Sequence, residues 1–312
     1  MIGTVTLNPC VDRTCRISHF TYGGMNRIIS DRRDISGKGI NVSLALVQNQ
    51  VPTASCGLIY QEGKESFLSS LKAQGIDFQG IEVPGKVREN IKLWDTESGV
   101  TTEINQKGAF IAESDWKRFL VFFQGFVEKL DVVVLSGSVA QGIPEDCYKT
   151  LSEMAKEAHA KVFLDAEGPL LLKGMMAKPW LIKPNAYEFS LAFGSCPSSY
   201  QDLARKAKEI IDSGKAEVVC VTLGSQGALL TDGNKAFFCP PAKCEVKSTQ
   251  GAGDSVVAGI CKALEEKKPL EELLSSGIAM AGGTLSREGT QMCLAQDYLR
   301  FSKQLSVQEV PL

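Results

Sequence analysis

Short apolar runs alternate with longer amphipathic runs along most of this chain, and no other feature restricts its fold so tightly. The strand-like runs are Thr4–Leu7, Ser55–Ile59, Val132–Leu135, Val162–Leu164, Trp180–Ile182 and Val218–Leu223. Among them fall helix-like runs at Ile40–Gln50, Lys64–Gln74, Ser114–Lys129, Glu145–Ala158, Tyr187–Phe193 and Gln201–Ser213. Ser114-Asp115-Trp116 opens one helix with a cap and an early acid, and Pro144-Glu145-Asp146 opens another. Strands made almost wholly of Val, Ile and Leu suit a sheet covered on both faces. The expected fold class is therefore α/β: a doubly wound, mostly parallel sheet in a single domain over residues 1–312.

Two stretches depart from this rhythm. Residues 11–35 and 87–106 have period-two character with no helix between their strands. Arg88–Asp95 alternates, Glu97-Ser98-Gly99 turns, and Val100–Asn105 returns as a hairpin partner. These strands predict a small β-flap, or lid, beside the edge of the main sheet. Ile17, Phe20, Ile91, Leu93 and Trp94 are candidates for an apolar flap face that needs cover. Two clasped flaps would supply it, so a homodimer is expected.

Charge and cysteine usage narrow the function classes. A net charge of −2 gives no basic stripe for nucleic acid and no polybasic membrane anchor, so any anion site is local. No run has the length and apolarity of a transmembrane helix, and Met1–Leu7 lacks the basic start of a signal peptide. A cytoplasmic location is expected. The ten cysteines are scattered, form no C-x-x-C pair, and have only His19 and His159 for company. They read as reduced residues of the core, as Cys220 does inside Val218–Leu223.

In open α/β sheets ligands bind beyond the carboxyl ends of the strands. There this chain places Asn8-Pro9-Cys10-Val11-Asp12, Ser136-Gly137-Ser138, Asp165-Ala166-Glu167-Gly168, Lys183-Pro184-Asn185-Ala186-Tyr187-Glu188 and Gly224-Ser225-Gln226-Gly227. Small and polar residues thus collect along one edge.

Two glycine-rich segments suit anions. Ser248-Thr249-Gln250-Gly251-Ala252-Gly253-Asp254-Ser255 follows a strand-like Cys244–Lys247 and precedes a helix-like Val256–Glu266. Its glycines let backbone N–H groups converge at a helix N-terminus. Asp254 would repel the anion such a nest attracts, which makes sense for a base that deprotonates an attacking hydroxyl. A helix-capping Asp at an ordinary turn is the alternative. In Ser36-Gly37-Lys38-Gly39-Ile40-Asn41 a lysine stands between two glycines at a helix start, without the spacing of a Walker A loop.

Five motifs now stand in order: Thr6-Leu7-Asn8-Pro9-x-x-Asp12, Gly37-Lys38-Gly39-x-Asn41, Lys183-Pro184-Asn185-x-x-Glu188, Thr222-Leu223-Gly224-x-x-Gly227 and Gly251-Ala252-Gly253-Asp254-Ser255. With them the chain resembles the phosphofructokinase-B carbohydrate kinases, which have the ribokinase-like fold. It looks most like the branch that acts on fructose 1-phosphate or tagatose 6-phosphate. The resemblance runs from residue 4 to about residue 290.

That resemblance implies ATP and Mg²⁺ as cofactors and leaves open whether a monovalent cation is needed. Asp254 would be the general base, and Gly251, Ala252 and Gly253 an anion hole for the transferring phosphoryl. Asp12 and Asn41 would bond sugar hydroxyls, with Gly37 and Gly39 permitting close approach. Lys38 and Arg88 would hold a phosphate already on the substrate, aided by Asn90, Ser136 and Ser138. Lys183, Thr222, Gly224 and Gly227 would line the nucleotide side, and Asn185 with Glu188 would hold the metal and its waters. Asp165 would support the crevice. An exposed ion-paired Arg88 and a capping Asn185 with a solvated Glu188 are the alternatives on spacing alone. The sequence departs from several relatives at Ser36, where they carry glycine, and at Val139-Ala140, where Leu-Pro is usual. A sugar-phosphate sensor without activity is the competing class, and the presence of Asp254 argues against it.

Overall fold

The computed structural model describes residues 1–312. The chain runs β1 (Ile2–Thr6), β2 (Cys10–Ile17), β3 (Ser30–Ser36), α1 (Lys38–Gln48), β4 (Thr53–Glu62) and α2 (Lys64–Ala73). It continues through β5 (Phe78–Lys86), β6 (Arg88–Asp95), β7 (Thr101–Asn105), α3 (Glu113–Val127), β8 (Val132–Ser136), α4 (Cys147–Glu157) and β9 (Lys161–Asp165). Then come α5 (Gly168–Gly174), β10 (Leu181–Ile182), α6 (Ala186–Phe193), α7 (Tyr200–Asp212), β11 (Val218–Thr222), β12 (Ala228–Thr231) and β13 (Ala236–Cys239). Helices α8 (Ala252–Glu265), α9 (Leu270–Leu285) and α10 (Ala295–Ser302) and strand β14 (Gln308–Val310) complete it.

Ten strands form one sheet in the order β14-β13-β12-β11-β10-β9-β8-β1-β4-β5. From β11 to β5 every neighbouring pair is parallel, while β12, β13 and β14 add antiparallel strands at the far edge. Strands β1, β8 and β11 are almost wholly buried, as suits strands covered on both faces. Each face of the sheet carries its own apolar cluster. One holds Leu7, Leu58, Leu135 and Phe123, the other Ile2, Val134, Ile40 and Val257. Strand order reverses at β1, whose neighbours are β4 on one side and β8 on the other. The crevice beyond β1 and β8 is thus a topological switch point.

The remaining strands form a second sheet in the order β3-β2-β6-β7. Its β6–β7 hairpin pairs Asn90 with Asn105 and Trp94 with Thr101. Residues 18–29 between β2 and β3 are loop rather than strand. The parallel β2–β6 register puts Asp12 beside Asn90 and Arg16 beside Trp94. Alternation therefore separates Trp94, which packs its ring under Arg16 at 4.9 Å, from Ile91 and Leu93 on the opposite face. Ile17 is already buried within the chain, so the expected single apolar flap face is split.

Several boundaries differ from the sequence reading. Cys244–Lys247 is irregular rather than a strand: the Lys247 amide bonds the Leu285 carbonyl at the end of α9 instead of a sheet neighbour. Helix α8 begins at Ala252, about a turn before Val256, because Gly251 adopts a left-handed φ of 71° as its N-cap. Helix α3 starts after Ala112 without the Ser114 cap, and α4 starts at Cys147, whose amide bonds the Pro144 carbonyl, rather than at Glu145. No helix is long and apolar enough to cross a membrane. All ten cysteines are free thiols, and burial pushes Cys220 up to about 12.

Candidate active site

The early start of α8 puts Asp254 in its first turn, facing inward and 6% exposed. Helix α1 packs against α8, and Asn41 Nδ2 donates to Asp254 Oδ2 at 2.7 Å. Ser36 Oγ in turn donates to Asn41 Oδ1 at 3.2 Å. Asn41, expected to bond sugar hydroxyls, is thus tied to the Asp254 carboxylate. Burial pushes Asp254 up to about 6; Asp165 adds to the rise, while Lys38, Asn41 and Lys183 oppose it.

Opposite Asp254 lies a charge cluster centred on Asp165, at the end of β9. Its Oδ1 meets both Lys38 Nζ at 3.3 Å and Lys183 Nζ at 3.2 Å. Asp165 is fully buried; burial alone would raise its pKa, but the two lysines bring it below the ordinary carboxylate range. For Lys38 burial pulls the other way, yet the carboxylates of Asp165, Asp254 and Glu188 raise its pKa above the usual value. Lys38 therefore stays charged beside the buried base. Sequence reasoning ranked Asp165 as mere support because one Asp after a strand carries no distinctive pattern.

The glycines here have steric reasons. A Cβ on Gly39 would lie 2.4 Å from the Val5 carbonyl oxygen, so α1 begins as close to β1 as backbone allows. A Cβ on Gly251 would lie 2.2 Å from Met292 Cε. Gly253 lies close to Lys183, whose Nζ would be 3.5 Å from a Cβ at that position. The N–H groups at the start of α8 and the Lys183 ammonium thus border the same space, a setting for anionic oxygens.

A second cluster lies on the flap sheet. Asp12 is 4% exposed and accepts from Asn90 Nδ2 and Lys92 Nζ, both at 3.0 Å. Arg88 donates to Asn90 Oδ1 at 3.2 Å and to the carbonyls of Gln106 at 3.0 Å and Asn8 at 3.4 Å. Lys38 and Arg88, grouped on one phosphate by the sequence reading, hold different protein partners. Asn8 connects this cluster to the switch point, since its Nδ2 donates to Ser138 Oγ at 3.2 Å. Ser138 is exposed and Ser136 buried. Lys92 went unnoticed in the sequence because a lysine in an alternating strand reads as a solvent-facing residue.

The third group is on the opposite flank. Asn185 Oδ1 accepts from the Glu188 amide, and Glu188 Oε2 accepts from the Asn185 amide, both at 2.8 Å. This reciprocal capping box opens α6. Glu188 is 6% exposed rather than solvated. Asn185 also bridges to Thr222 at the end of β11. Gly224 and Gly227 follow, both at positive φ. No group of three or more His, Cys, Asp or Glu side chains gathers anywhere as a ready metal site.

The family model for the pfkB family of carbohydrate kinases matches residues 5–297. The chain belongs to that family. This pfkB kinase is a phosphotransferase acting on a sugar alcohol group, and its sheet and helices form the ribokinase-like fold. It is 37% identical to a 1-phosphofructokinase of Bacillus subtilis over 95% of this chain and 97% of the relative. A 1-phosphofructokinase of Vibrio cholerae is 30% identical over 92% and 90%. Phosphofructokinase-2 from Escherichia coli, solved in complex with potassium, superposes with a TM-score of 0.90 at 26% identity, covering 97% of this chain and 98% of that one. A ribokinase from Thermotoga maritima shares the fold at a TM-score of 0.77 and 20% identity, over 97% of this pfkB kinase and 99% of its own chain.

Proposed function

We propose that this kinase transfers the γ-phosphoryl group of ATP to the free primary hydroxyl of fructose 1-phosphate, yielding fructose 1,6-bisphosphate and ADP. The observation that carries the reading is the buried Asp254 carboxylate, at the N-terminus of α8 and in the field of Lys38 and Lys183. The names of the two curated relatives support the choice of sugar.

Asp254 takes the hydroxyl proton as the sugar oxygen bonds to phosphorus and the bond to the ADP oxygen breaks. A carboxylate raised to about 6 is ionised at neutral pH and a stronger base than an ordinary one. The amides of Gly251, Ala252 and Gly253 receive the charge that develops on the phosphoryl oxygens. Lys38 and Lys183 supply positive charge where substrate and nucleotide phosphates meet. Arg88 takes the phosphate already on the sugar, and Asp12, Asn90, Ser136 and Ser138 bind its polar groups. Gly37 and Gly39 keep the α1 entry open, while Thr222, Gly224 and Gly227 line the nucleotide side. The flap sheet serves as a lid over the sugar.

The residues fit a divalent ion bound largely through water. One Glu188 oxygen is committed to the capping box, and its other oxygen makes no protein hydrogen bond. Mg²⁺ keeps several waters and needs only one or two carboxylates, which Glu188 beside Asn185 offers. Such an ion would offset charge on the nucleotide phosphates. For a monovalent cation, Gln250 Oε1 and Thr290 Oγ1 are buried oxygens without protein partners in the two loops flanking Gly251.

A homodimer through the flap is part of this reading, supported by exposed Tyr22, Met25, Ile28 and Ile29 in and beside the β2–β3 loop. Sedimentation at micromolar concentration tests it, and a monomer would refute it. The catalytic reading is tested by coupled ADP-release assays with fructose 1-phosphate, fructose 6-phosphate and tagatose 6-phosphate. The highest kcat/KM is expected for fructose 1-phosphate. Preference for tagatose 6-phosphate would overturn the substrate, and turnover of none would overturn the activity.

A further inference from the structure

Lys92 is 6% exposed, and a lysine so deep in a sheet needs an anion beside it. Its anion is Asp12 Oδ2 at 3.0 Å, while Asn90 Nδ2 occupies Asp12 Oδ1 at the same distance. Cys10 Sγ also donates to Oδ1, at 3.5 Å, so Lys92 is the one side chain that holds Oδ2 and the group cannot rotate without breaking a bond. The β2–β6 register explains why: Asp12 lies beside Asn90 and Thr14 beside Lys92. Alternation then places Asp12, Thr14, Arg88, Asn90 and Lys92 on one face. That face looks onto the crevice, since Arg88 reaches the Asn8 carbonyl beyond β1. Thr14 Oγ1 is buried there without a partner. A polar face this deep, with an ion pair inside it, has no use in a flap that only covers the sheet.

We propose that Lys92 is a positioning residue for sugar recognition: it locks Asp12 in one orientation, as an acceptor for the hydroxyls of the sugar phosphate. An ionised carboxylate accepts hydrogen bonds and donates none, so the locked group favours ligands that present hydroxyl donors. This rests on the kinase reading above and adds to it the group that sets Asp12. With Lys92 gone, Asp12 would be a buried carboxylate held on one oxygen only, free to turn or to recruit water.

The experiment compares wild type, Lys92→Met, Lys92→Arg, Asp12→Asn and the double variant, after wild-type turnover of fructose 1-phosphate has been established. Absence of that turnover defeats the fructose 1-phosphate reading and is seen before any variant is made. For Lys92→Met, KM for the sugar phosphate should rise at least about tenfold, the loss expected for one charge-assisted bond, with KM for ATP within about twofold. Lys92→Arg should recover most of the affinity. Adding Lys92→Met to Asp12→Asn should raise the sugar KM no further, because Lys92 acts through Asp12. The double variant buries no unpaired charge and stays testable if Lys92→Met alone unfolds. An unchanged sugar KM, equal rises for sugar and ATP, or full additivity in the double variant would each overturn the assignment.

Discussion

Asn41 Nδ2 and Asp254 Oδ2 lie 2.7 Å apart, so the first turn of α1 holds the carboxylate at the first turn of α8. Burial pushes Asp254 up to about 6, and the Asn41 bond opposes that rise. A base must be ionised to work, so kcat/KM should climb as pH passes through about 6 and then level off. Replacing Asn41 with Leu removes a donor to the ionised form and should move this acid limb to higher pH. A pH–rate profile of both proteins checks the direction.

Asp254→Asn should separate activity from stability. The raised pKa means the folded protein holds this proton more tightly than the unfolded chain does. Its favourable linkage is therefore complete below the unfolded carboxylate range and is lost as pH rises through about 6. At pH 8 the wild type carries a buried charge that the amide lacks, and the variant should be more stable by on the order of 2–3 kcal/mol. The gain should vanish near pH 4. Urea unfolding at the two pH values measures it, while kcat of the same variant falls about a hundred- to ten-thousandfold.

The alternation of runs in the sequence is enough to reveal the parallel sheet, because short apolar strands such as Val132–Ser136 recur between amphipathic helices. The glycine motifs revealed Asp254, Lys38 and Gly39, since close backbone approach excludes other residues. Partners distant in sequence stayed hidden. Asp165 lies 127 residues from Lys38, and only the β8–β9 order of the folded sheet brings them within 3.3 Å. Lys92 was invisible for a related reason: its burial depends on the register with Asp12, 80 residues earlier. Helix starts at Ala252 and Cys147 were misplaced because neither has a side-chain cap to mark it.

Lys38 and Arg88 should separate kinetically. Lys38 feels the charges of Asp165 and Asp254, whereas Arg88 is held by Asn8, Asn90 and Gln106. Lys38→Met is expected to lower kcat as well as raise the sugar KM, while Arg88→Met raises the sugar KM with kcat nearly unchanged. Full steady-state kinetics with both substrates varied measures the split.

Asp165→Ala should be costly because its carboxylate balances Lys183, whose side chain is only 4% exposed. Removing one partner of such a buried pair costs about 3–5 kcal/mol. The lowered pKa of Asp165 means its contribution is full above the unfolded carboxylate range and disappears as pH falls through the folded value. The gap between variant and wild type in thermal unfolding should therefore be wide at pH 7 and narrow in strong acid.

The most direct test follows the phosphorus nuclei by NMR as the enzyme acts on a mixture of ATP, Mg²⁺ and fructose 1-phosphate. Wild type should produce ADP and a second sugar phosphate ester in equal amounts, and Asp254→Asn should leave both substrates essentially intact while still binding them. A bisphosphate signal that grows as fast with Asp254→Asn as with wild type would contradict the account.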